Sequence, residues 1–318
     1  MSFLIPCYNS QDTVEDVIDE IIEVVKTKED YYDYEIIAIN DGSPDEVLSV
    51  LRRLAADNPK IKIIDFALNR GKHAALMAGF NYASGEIAIT VDDDMQCPVD
   101  KLWNLLEPIE ERGYDVSTSW YAEKKESLFK RIGSKVNELV SANLLNKPRG
   151  IVLSRFTARK KFVYKEMVKY KHPYPSLEGL TVRVTHNICM VPMEDRERIR
   201  GKSGYNFIKS LKLMLNGCTT FSVKPLRIAS VIGFIFGAAG FIYEIFIVIR
   251  KILHPSIQAG YSSLLAVNLM LGGIMLIMMG IMGEYIGRMY LCINQSPQFV
   301  IRETINLDSP ENEKEHEE

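Results

Sequence analysis

Short apolar runs alternate with amphipathic stretches along the chain up to about Lys224. The runs are rich in β-branched residues, as in buried strands, and the stretches between them have helical periodicity. The predicted strands are 2–5, 35–39, 61–65, 87–91 and 114–119. The predicted helices lie near 12–27, 44–56, 72–83 and 99–112. Such alternation predicts βαβ crossovers and an α/β fold with a largely parallel sheet.

The remainder of the chain has a different pattern, with two long apolar segments. Residues 228–249 contain Glu244 as their only charge, and residues 264–283 contain none. Each segment is long enough to cross the hydrocarbon core of a bilayer, which is about 30 Å thick. Two buried core helices would give a similar pattern, but the length and the scarcity of charge favour a transmembrane hairpin.

These patterns predict four consecutive parts. They are a cytoplasmic α/β domain at 1–202, an interfacial helix at 203–224, two transmembrane helices within 225–290 and a cytoplasmic tail at 291–318 with a disordered end. The interfacial helix is predicted because Phe207, Leu211 and Met214 share one helical face, whereas Lys209 lies toward another. An ordinary domain helix with a buried apolar face is the alternative.

Composition limits the partners and the compartment. The 38 basic and 41 acidic residues give a formal net charge of −3, so no strong field favours nucleic acid. The five cysteines are scattered without a CxxC pair, which argues against a zinc site or a disulfide framework and favours a reducing compartment. Met1 leads directly into a predicted strand rather than a signal peptide. The basic residues that flank the apolar segments only weakly favour a cytoplasmic position for the α/β domain. We therefore expect the α/β domain on the cytoplasmic side of the inner membrane.

Three consecutive carboxylates, Asp92, Asp93 and Asp94, directly follow the apolar run 87–91. Ligands of open α/β sheets gather at the carboxyl ends of such strands. Two aspartates one residue apart can share a divalent cation, which in turn holds a phosphate-bearing ligand. The alternative is a solvated acidic turn that caps the helix starting near Val99.

A polar cluster follows each of the first four predicted strands. These clusters are Pro6-Cys7-Tyr8-Asn9, Asn40-Asp41-Gly42-Ser43, Asn69-Arg70-Gly71-Lys72 and Asp92-Asp93-Asp94-Met95-Gln96. Each alone is ordinary turn chemistry, but four of them on one rim of a sheet would build a nucleotide pocket. No Gly-x-Gly-x-x-Gly or Walker loop occurs, so a Rossmann dehydrogenase and a P-loop protein lose their main support.

The clusters at 4–9, 40–43 and 69–79 resemble those of family 2 glycosyltransferases. The run 92–98 resembles the Asp-x-Asp-x-Gln-x-Pro form of the polyprenyl-phosphate sugar transferases, the branch of dolichol-phosphate mannose synthase and the bacterial undecaprenyl-phosphate enzymes. Further similar segments are 198–205, 225–227 and 283–288, so the resemblance covers nearly the whole chain. It implies a GT-A-like catalytic domain.

The resemblance also implies a reaction. A membrane-anchored, inverting enzyme would move a sugar from a nucleotide-sugar donor of UDP, GDP or dTDP type to polyprenyl phosphate, for modification of envelope glycans. The acceptor is a phosphate monoester with a second pKa near about 6, so at pH 7 it needs positioning more than deprotonation. We therefore assign no catalytic base. The expected partners are the donor, the lipid phosphate, the bilayer and further copies of the chain.

Roles follow by position from the resemblance. The catalytic residues are expected to be Asp92, Asp94 and Arg198. The expected ligands of Mg²⁺ or Mn²⁺ are Asp92, Asp94 and Gln96. The nucleotide is expected to contact Pro6, Tyr8, Asn9, Asp41, Asn69, Lys72, Asp92 and Asp93. The acceptor phosphate is expected to contact Lys130, Arg131 and Ser203. For Arg131 and Arg198 a solvated charged surface is the alternative interpretation.

Two other functions fit parts of the pattern. A processive polysaccharide synthase would share the catalytic fold, but it normally needs more spans and a Gln-x-x-Arg-Trp motif, which this chain lacks. A non-catalytic membrane scaffold would have no need for Asp92, Asp94 and Gln96. The chain also departs from the family pattern in two segments. Relatives often carry an arginine near 119–122 and Phe-Arg-Leu near 150–156. The sequence therefore does not identify the sugar or all the residues that bind the acceptor phosphate.

Overall fold

The structure is a computed structural model that describes residues 1–121, 151–194, 196, 224–253, 260–294 and 296–307. The chain separates into two compact units. The first contains Met1–Ser210 and Ser296–Glu318, and the second contains Leu211–Gln295. The predicted interfacial helix lies outside the described residues except for Lys224.

The described part of the first unit is built around one mixed sheet. Its strands are β1 (Ser2–Cys7), β2 (Glu35–Asn40), β3 (Ile61–Phe66), β4 (Ile87–Thr90), β5 (Val116–Tyr121), β6 (Thr157–Lys160), β7 (Ile188–Met193) and β8 (Ile301–Ile305). They are ordered β7-β5-β6-β4-β1-β2-β3-β8. The β3–β8, β4–β6 and β5–β6 pairs are antiparallel, and the other neighbours are parallel. This confirms the predicted α/β fold with a largely parallel sheet.

Helices connect and cover the strands. They are α1 (Val14–Lys26), α2 (Val47–Asp57), α3 (Lys72–Tyr82), α4 (Leu102–Glu110), α5 (Lys161–Met167) and α6 (Leu177–Val184). Every residue of β1 and β2 is buried, as expected for central strands covered on both faces. The apolar stripe of α1, which includes Val14, Ile18 and Val25, packs into the core.

Helix α3 lies very close to the sheet at Gly79, where the lack of a side chain makes room for the strand residues. A Cβ atom at Gly79 would lie 3.1 Å from the side chains of both Leu4 and Ile39. Residues 74–80 of this helix are all buried. The tight packing fixes the helix against β1 and β2, so its first residue, Lys72, is held at the carboxyl edge of the sheet.

The first five strands and four helices match the sequence predictions to within about three residues at their ends. Strands β6, β7 and β8 were not predicted, because short edge or antiparallel strands carry little periodic signal. Strand β8 lies in the segment that the sequence predicts to be a tail. That segment therefore joins the sheet through residues 301–305 rather than extending freely, while residues 308–318 lie outside the described part of the chain.

The second unit contains two long helices, α7 (Lys224–Leu253) and α8 (Tyr261–Ile293), which contact each other. The predicted spans lie within them. Among the described residues one segment, Met270–Ile293, is long and apolar enough to cross a membrane, with a mean hydropathy of 1.6 and no buried residue. In α7 the apolar part, Ala229–Tyr243, is shorter, so the two-span hairpin stays a prediction.

At the amino edge of the sheet, the Glu35 carboxylate joins four segments. It accepts hydrogen bonds from Ser2 Oγ at 2.5 Å and from Ser84 N and Oγ at 2.8 Å each, and it pairs with Lys62 Nζ at 2.6 Å. Burial alone raises the pKa of this carboxyl. The hydrogen bonds from Lys62, Ser2 and Ser84 outweigh burial and lower the pKa to about 2.

We predict that Glu35→Gln lowers the free energy of unfolding at pH 7 by about 2 kcal/mol, because a buried, fully hydrogen-bonded carboxylate is lost. The depressed pKa means that the wild-type contribution is present above the ordinary pKa of 4.5 and is lost as the pH falls toward about 2. The variant should therefore be less sensitive to pH in this window. Denaturant unfolding at pH 7 and pH 3, followed by the fluorescence of Trp103 and Trp120 in the first unit, measures both effects.

The control is Asp33→Asn, which breaks an exposed ion pair with Lys60. Such a pair contributes about 0–1 kcal/mol. Equal losses of stability in the two variants would contradict the role of Glu35.

Candidate active site

The four polar clusters meet at one edge of the sheet. Strands β4, β1, β2 and β3 are neighbours and run parallel, so their carboxyl ends lie side by side. The loops bond to one another there: Tyr8 N donates to Asp93 Oδ2 at 3.0 Å, and Asn9 N donates to Ser43 Oγ at 2.8 Å. The residues predicted from separate strand ends thus form one continuous rim.

The acidic loop after β4 presents its carboxylates rather than using them as helix caps. Asp92, Asp94 and Gln96 are all half-buried, and Gln96 N donates to Asp94 Oδ1 at 3.2 Å. Met95 has a φ of 61°, a left-handed turn that keeps Gln96 close to Asp94. Neither the short turn that begins at Val99 nor α4 has a side-chain cap from this cluster. The alternative of a capping acidic turn is therefore not supported.

Positive charge lies directly beside the acidic loop. The ammonium group of Lys72 pairs with Asp92 Oδ1. Lys72 is the first residue of α3, so the partial positive charge of the helix N-terminus adds to its own. A carboxylate, an ammonium group and a helix N-terminus at one strand edge can together hold a phosphate group and a cation.

Asp93 has a different surrounding from its two neighbours. Its carboxylate accepts from Tyr8 N, and its carbonyl oxygen accepts from Thr13 Oγ1 at 2.6 Å. Burial, with repulsion from Asp92 and Asp94, raises the pKa of Asp93 to about 6. The described contacts of Asp93 tie the acidic loop to the β1 loop, and its predicted contact with a nucleotide stays a prediction.

Asp41 joins the second and third loops. Its two carboxylate oxygens accept from Arg70 N at 2.7 Å and from Gly71 N at 2.8 Å. Burial raises the pKa of this carboxyl, although the two amides and the Arg70 charge act in the opposite direction. A base or ribose would have to bind at the remaining lone pairs of these oxygens. The predicted nucleotide role of Asp41 is untested.

The third loop approaches the second so closely that only glycine fits at position 42. Gly42 has a φ of 59°, and a Cβ there would lie 2.7 Å from Asn69 N. The close approach explains how Asp41 reaches the amides of Arg70 and Gly71. Asn69, Tyr8 and Asn9, which the sequence assigns to the nucleotide, are exposed on this rim, whereas Pro6 is buried within β1.

Sequence reasoning did not select Arg155 as a site residue. Its Nη1 donates to Gln96 Oε1 at 2.9 Å, and its guanidinium lies 5.1 Å from the centre of the Tyr121 ring. The antiparallel entry of β6 beside β4 brings this arginine to the acidic loop. The available signal was its place in the segment where relatives carry Phe-Arg-Leu, but the changed residue order concealed the match.

His73 is held as a neutral hydrogen-bond acceptor. Its Nδ1 accepts from Leu177 N at 3.4 Å, at the start of α6. Burial, with the charges of Lys72 and Arg159, lowers the pKa of His73 to about 4. An imidazole in this state links α3 to the start of α6.

The predicted metal ligands can be judged by their chemistry. Within the ranges that the structure describes, no group of three or more His, Cys, Asp or Glu side chains could hold a metal ion. Asp92, Asp94 and Gln96 offer two carboxylates and one carboxamide oxygen, the hard oxygen donors that Mg²⁺ and Mn²⁺ prefer. So small a set fits a cation whose remaining ligands come from substrate phosphates and water. Lys130, Arg131, Arg198 and Ser203 lie outside the described residues.

Comparison with protein families decides the class of this site. Residues 2–168, more than half of the chain, match the model of glycosyl transferase family 2. The chain belongs to this family. Residues 224–289 of the glycosyltransferase match the GtrB C-terminal hairpin. Both matches confirm the resemblance seen in the sequence motifs, including the two-helix arrangement of the second unit.

Relatives of this glycosyltransferase match along its whole length. It is 31% identical over 310 residues to the uncharacterized glycosyltransferase YkcC of Bacillus subtilis (strain 168), covering 97% of this chain and 95% of the relative. It is 30% identical over 321 residues to the undecaprenyl-phosphate 4-deoxy-4-formamido-L-arabinose transferase of Yersinia enterocolitica, covering 100% of this chain and 97% of the relative. The likewise named protein of Proteus mirabilis is 29% identical over 323 residues, covering 100% of this chain and 97% of the relative.

A solved structure supports the fold. Glucosyl-3-phosphoglycerate synthase of Mycobacterium tuberculosis, crystallised with Mn²⁺, UDP-glucose and phosphoglyceric acid, superposes with a TM-score of 0.51 at 20% identity. The match covers 69% of this chain and 77% of that chain. At this identity the likeness concerns the fold alone, and it confirms that the glycosyltransferase has a GT-A-like domain.

We predict that Gly42→Ala destabilises the first unit by about 2–3 kcal/mol, since it combines a left-handed backbone with a clash against the third loop. The matched control is Gly113→Ala. Gly113 has a φ of 75°, but a Cβ there would meet no atom within 4 Å. It should lose only about 1 kcal/mol. Denaturant unfolding of both variants measures the difference, and equal losses would show that the contact between the loops is unimportant.

Proposed function

We propose that this glycosyltransferase is a membrane-anchored, inverting enzyme that moves a sugar from a nucleotide-sugar donor to polyprenyl phosphate, with undecaprenyl phosphate as the acceptor. The product would be a lipid-phosphate-linked sugar for the modification of envelope glycans. The observation that carries the proposal is the acidic loop of Asp92, Asp94 and Gln96, set beside Lys72 and Arg155 at the carboxyl edge of the sheet. The names of full-length relatives support the acceptor.

The donor nucleotide, of UDP, GDP or dTDP type, would lie on the rim formed by the loops after β1, β2 and β3. The residues proposed to contact it are Pro6, Tyr8, Asn9, Asp41, Asn69, Lys72, Asp92 and Asp93. The exposed ring of Tyr8 and the side chains of Asn9 and Asn69 are accessible for this. The buried Asp41 would act chiefly by holding the third loop in place.

Negative charge builds on the nucleoside diphosphate as it leaves the anomeric carbon, and the reaction requires groups that stabilise this charge. Asp92, Asp94 and Gln96 would hold Mg²⁺ or Mn²⁺, which supplies charge neutralisation to the donor diphosphate when bound. Lys72, the N-terminus of α3 and the Arg155 guanidinium add fixed positive charge at the same edge. These groups stabilise the leaving group without a proton transfer.

The acceptor phosphate needs to be aligned behind the anomeric carbon, opposite the leaving group. Lys130, Arg131 and Ser203 are proposed to hold it, with Arg198 binding phosphate from a neighbouring segment. A largely anionic phosphate monoester is already a competent nucleophile at pH 7, so the site requires no dedicated base. Attack from the face opposite the diphosphate inverts the anomeric configuration.

Membrane attachment would bring the enzyme to its lipid substrate. The proposed anchors are the α7–α8 hairpin and an interfacial helix over residues 203–224. Large apolar side chains such as Phe234, Phe241 and Leu276 are exposed on the hairpin helices, as expected for a lipid-facing surface. We place the catalytic domain on the cytoplasmic face of the inner membrane, in a homo-oligomer.

The deciding measurement is transfer of radiolabel from a panel of UDP-, GDP- and dTDP-sugars to undecaprenyl phosphate by the purified full-length protein, with Mg²⁺ or Mn²⁺. We predict a labelled lipid with at least one donor, and a loss of at least about 100-fold in turnover for Asp94→Ala, since a ligand to the catalytic cation is removed. Asp57→Ala, which removes an exposed carboxylate from the end of α2, is the matched control and should keep wild-type turnover.

Other outcomes would favour other functions. A growing polymer instead of a single lipid-linked sugar would favour a processive synthase. No product with any donor, together with no binding of UDP, GDP or dTDP in the presence of Mn²⁺, would favour a scaffold. Full activity of Asp94→Ala would refute the proposed metal site.

A further inference from the structure

The segment after the hairpin contributes polar groups to the first unit. Residues 296–307 belong to this unit, and β8 pairs antiparallel with β3. Phe299 stacks on Phe66 with ring centres 5.2 Å apart, and Ala67 N donates to Val300 O at 2.9 Å. The C-terminal strand therefore covers the outer edge of β3 just before the third nucleotide loop begins.

A β-bulge in this pair brings an arginine to a buried carboxylate. Asp65 is the register partner of Glu303 and Phe66 is the partner of Ile301, so Arg302 is an extra residue. Arg302 Nη1 donates to Asp65 Oδ2 at 3.2 Å, and its Nη2 donates to Ala67 O at 3.2 Å. The carboxylate of Glu303 pairs instead with Arg52 on α2 at 2.6 Å.

Asp65 depends on these partners because its side chain is fully buried. Its second oxygen, Oδ1, accepts from Asn40 Nδ2 at 2.7 Å. Asn40 and Asp65 are also register partners in the parallel β2–β3 pair. A buried carboxylate that loses one partner is costly, so the surrounding groups shift to restore its hydrogen bonds.

The contacts continue from Asn40 to the nucleotide rim. Asn40 Oδ1 accepts from Ser43 N at 3.1 Å, and Ser43 Oγ accepts from Asn9 N at 2.8 Å. A continuous series of hydrogen bonds thus runs from β8 through β3 and β2 to the loops after β2 and β1. The same Asn40 directly precedes Asp41, which holds the third loop.

We infer that Arg302 is a positioning residue for the donor-binding loops, acting through Asp65, Asn40 and Ser43. The inference rests on the proposed function only in taking these loops to bind the donor nucleotide. Without the guanidinium, Asp65 would need a hydrogen bond from another donor. The side chain of Asn40 would then shift, and its hydrogen bond from Ser43 N would weaken. Donor binding then weakens, while the acidic loop that serves the chemical step keeps its own contacts.

Hydrogen exchange tests the structural part without any need for turnover. In the full-length protein, Arg302→Gln should speed amide exchange three- to tenfold in peptides covering residues 7–13 and 40–46. The matched control is Arg52→Gln, which removes the partner of Glu303 on the same strand and should leave these peptides unchanged. Arg302→Lys, which retains the charge, should lie between wild type and Arg302→Gln.

Equal exchange in Arg302→Gln and Arg52→Gln would overturn the inference, because β8 would then act only as an edge strand. If Arg302→Gln does not fold, Ser43→Ala interrupts the same series away from β8. That variant should speed exchange around residue 9 alone. Unchanged exchange there would also overturn the inference.

Kinetics test the functional part with the donor found in the radiolabel panel. Arg302→Gln should raise the KM for the donor three- to tenfold and leave kcat within twofold of wild type. Asp65→Asn should act in the same direction, and the double variant should be no worse than the more severe single variant, since both changes break one series of contacts. A fall in kcat at constant KM, or additive effects, would overturn the inference. Absence of any product refutes the proposed function instead, and hydrogen exchange still decides the role of Arg302.

Discussion

Pairing of carboxylates with donors from neighbouring loops is the constraint on which the rest of this structure depends. Parallel strands bring their carboxyl ends to one edge, and with them the buried Asp41 and Asp65 and the half-buried Asp93. A buried charge is tolerated only when it is hydrogen-bonded or paired. The loops therefore adopt the conformations that supply these bonds, including the left-handed turns at Gly42 and Gly71.

The carboxylates consequently divide into two kinds. Asp41, Asp65 and Asp93 accept backbone amides, an asparagine amide or an arginine, and so hold the loops together. Asp92 has the ammonium group of Lys72 as its partner, and Asp94 accepts from Gln96 N within its own loop. Lysine can exchange one anionic partner for another more readily than a backbone amide can. The second kind is thus suited to bind a cation, while the lysine is suited to bind a substrate phosphate.

The positions of the central strands and of the polar loops were predictable from the local pattern of apolar and polar residues. Runs such as 35–39 and 87–91 are apolar because central parallel strands are covered on both faces, so strand positions and the polar residues that follow them could be read directly. Arg155 and Arg302 could not be found in this way. Arg155 reaches Gln96 because β6 enters the sheet antiparallel beside β4, and Arg302 reaches Asp65 because of a bulge. Neither pairing leaves a periodic signal in the chain.

The amino-acid sequence by itself determined the α/β class, the rim of polar loops, the apolar hairpin segments and the glycosyltransferase motifs, because each depends on residues close together in the chain. Only the tertiary structure decided which carboxylates bond to groups of neighbouring loops and strands, and that a segment expected to be a tail pairs with the edge of β3. Those distinctions depend on burial and on partners as distant in sequence as Asp65 and Arg302. Burial and long-range pairing are set by the packing of the whole unit, which local sequence does not encode.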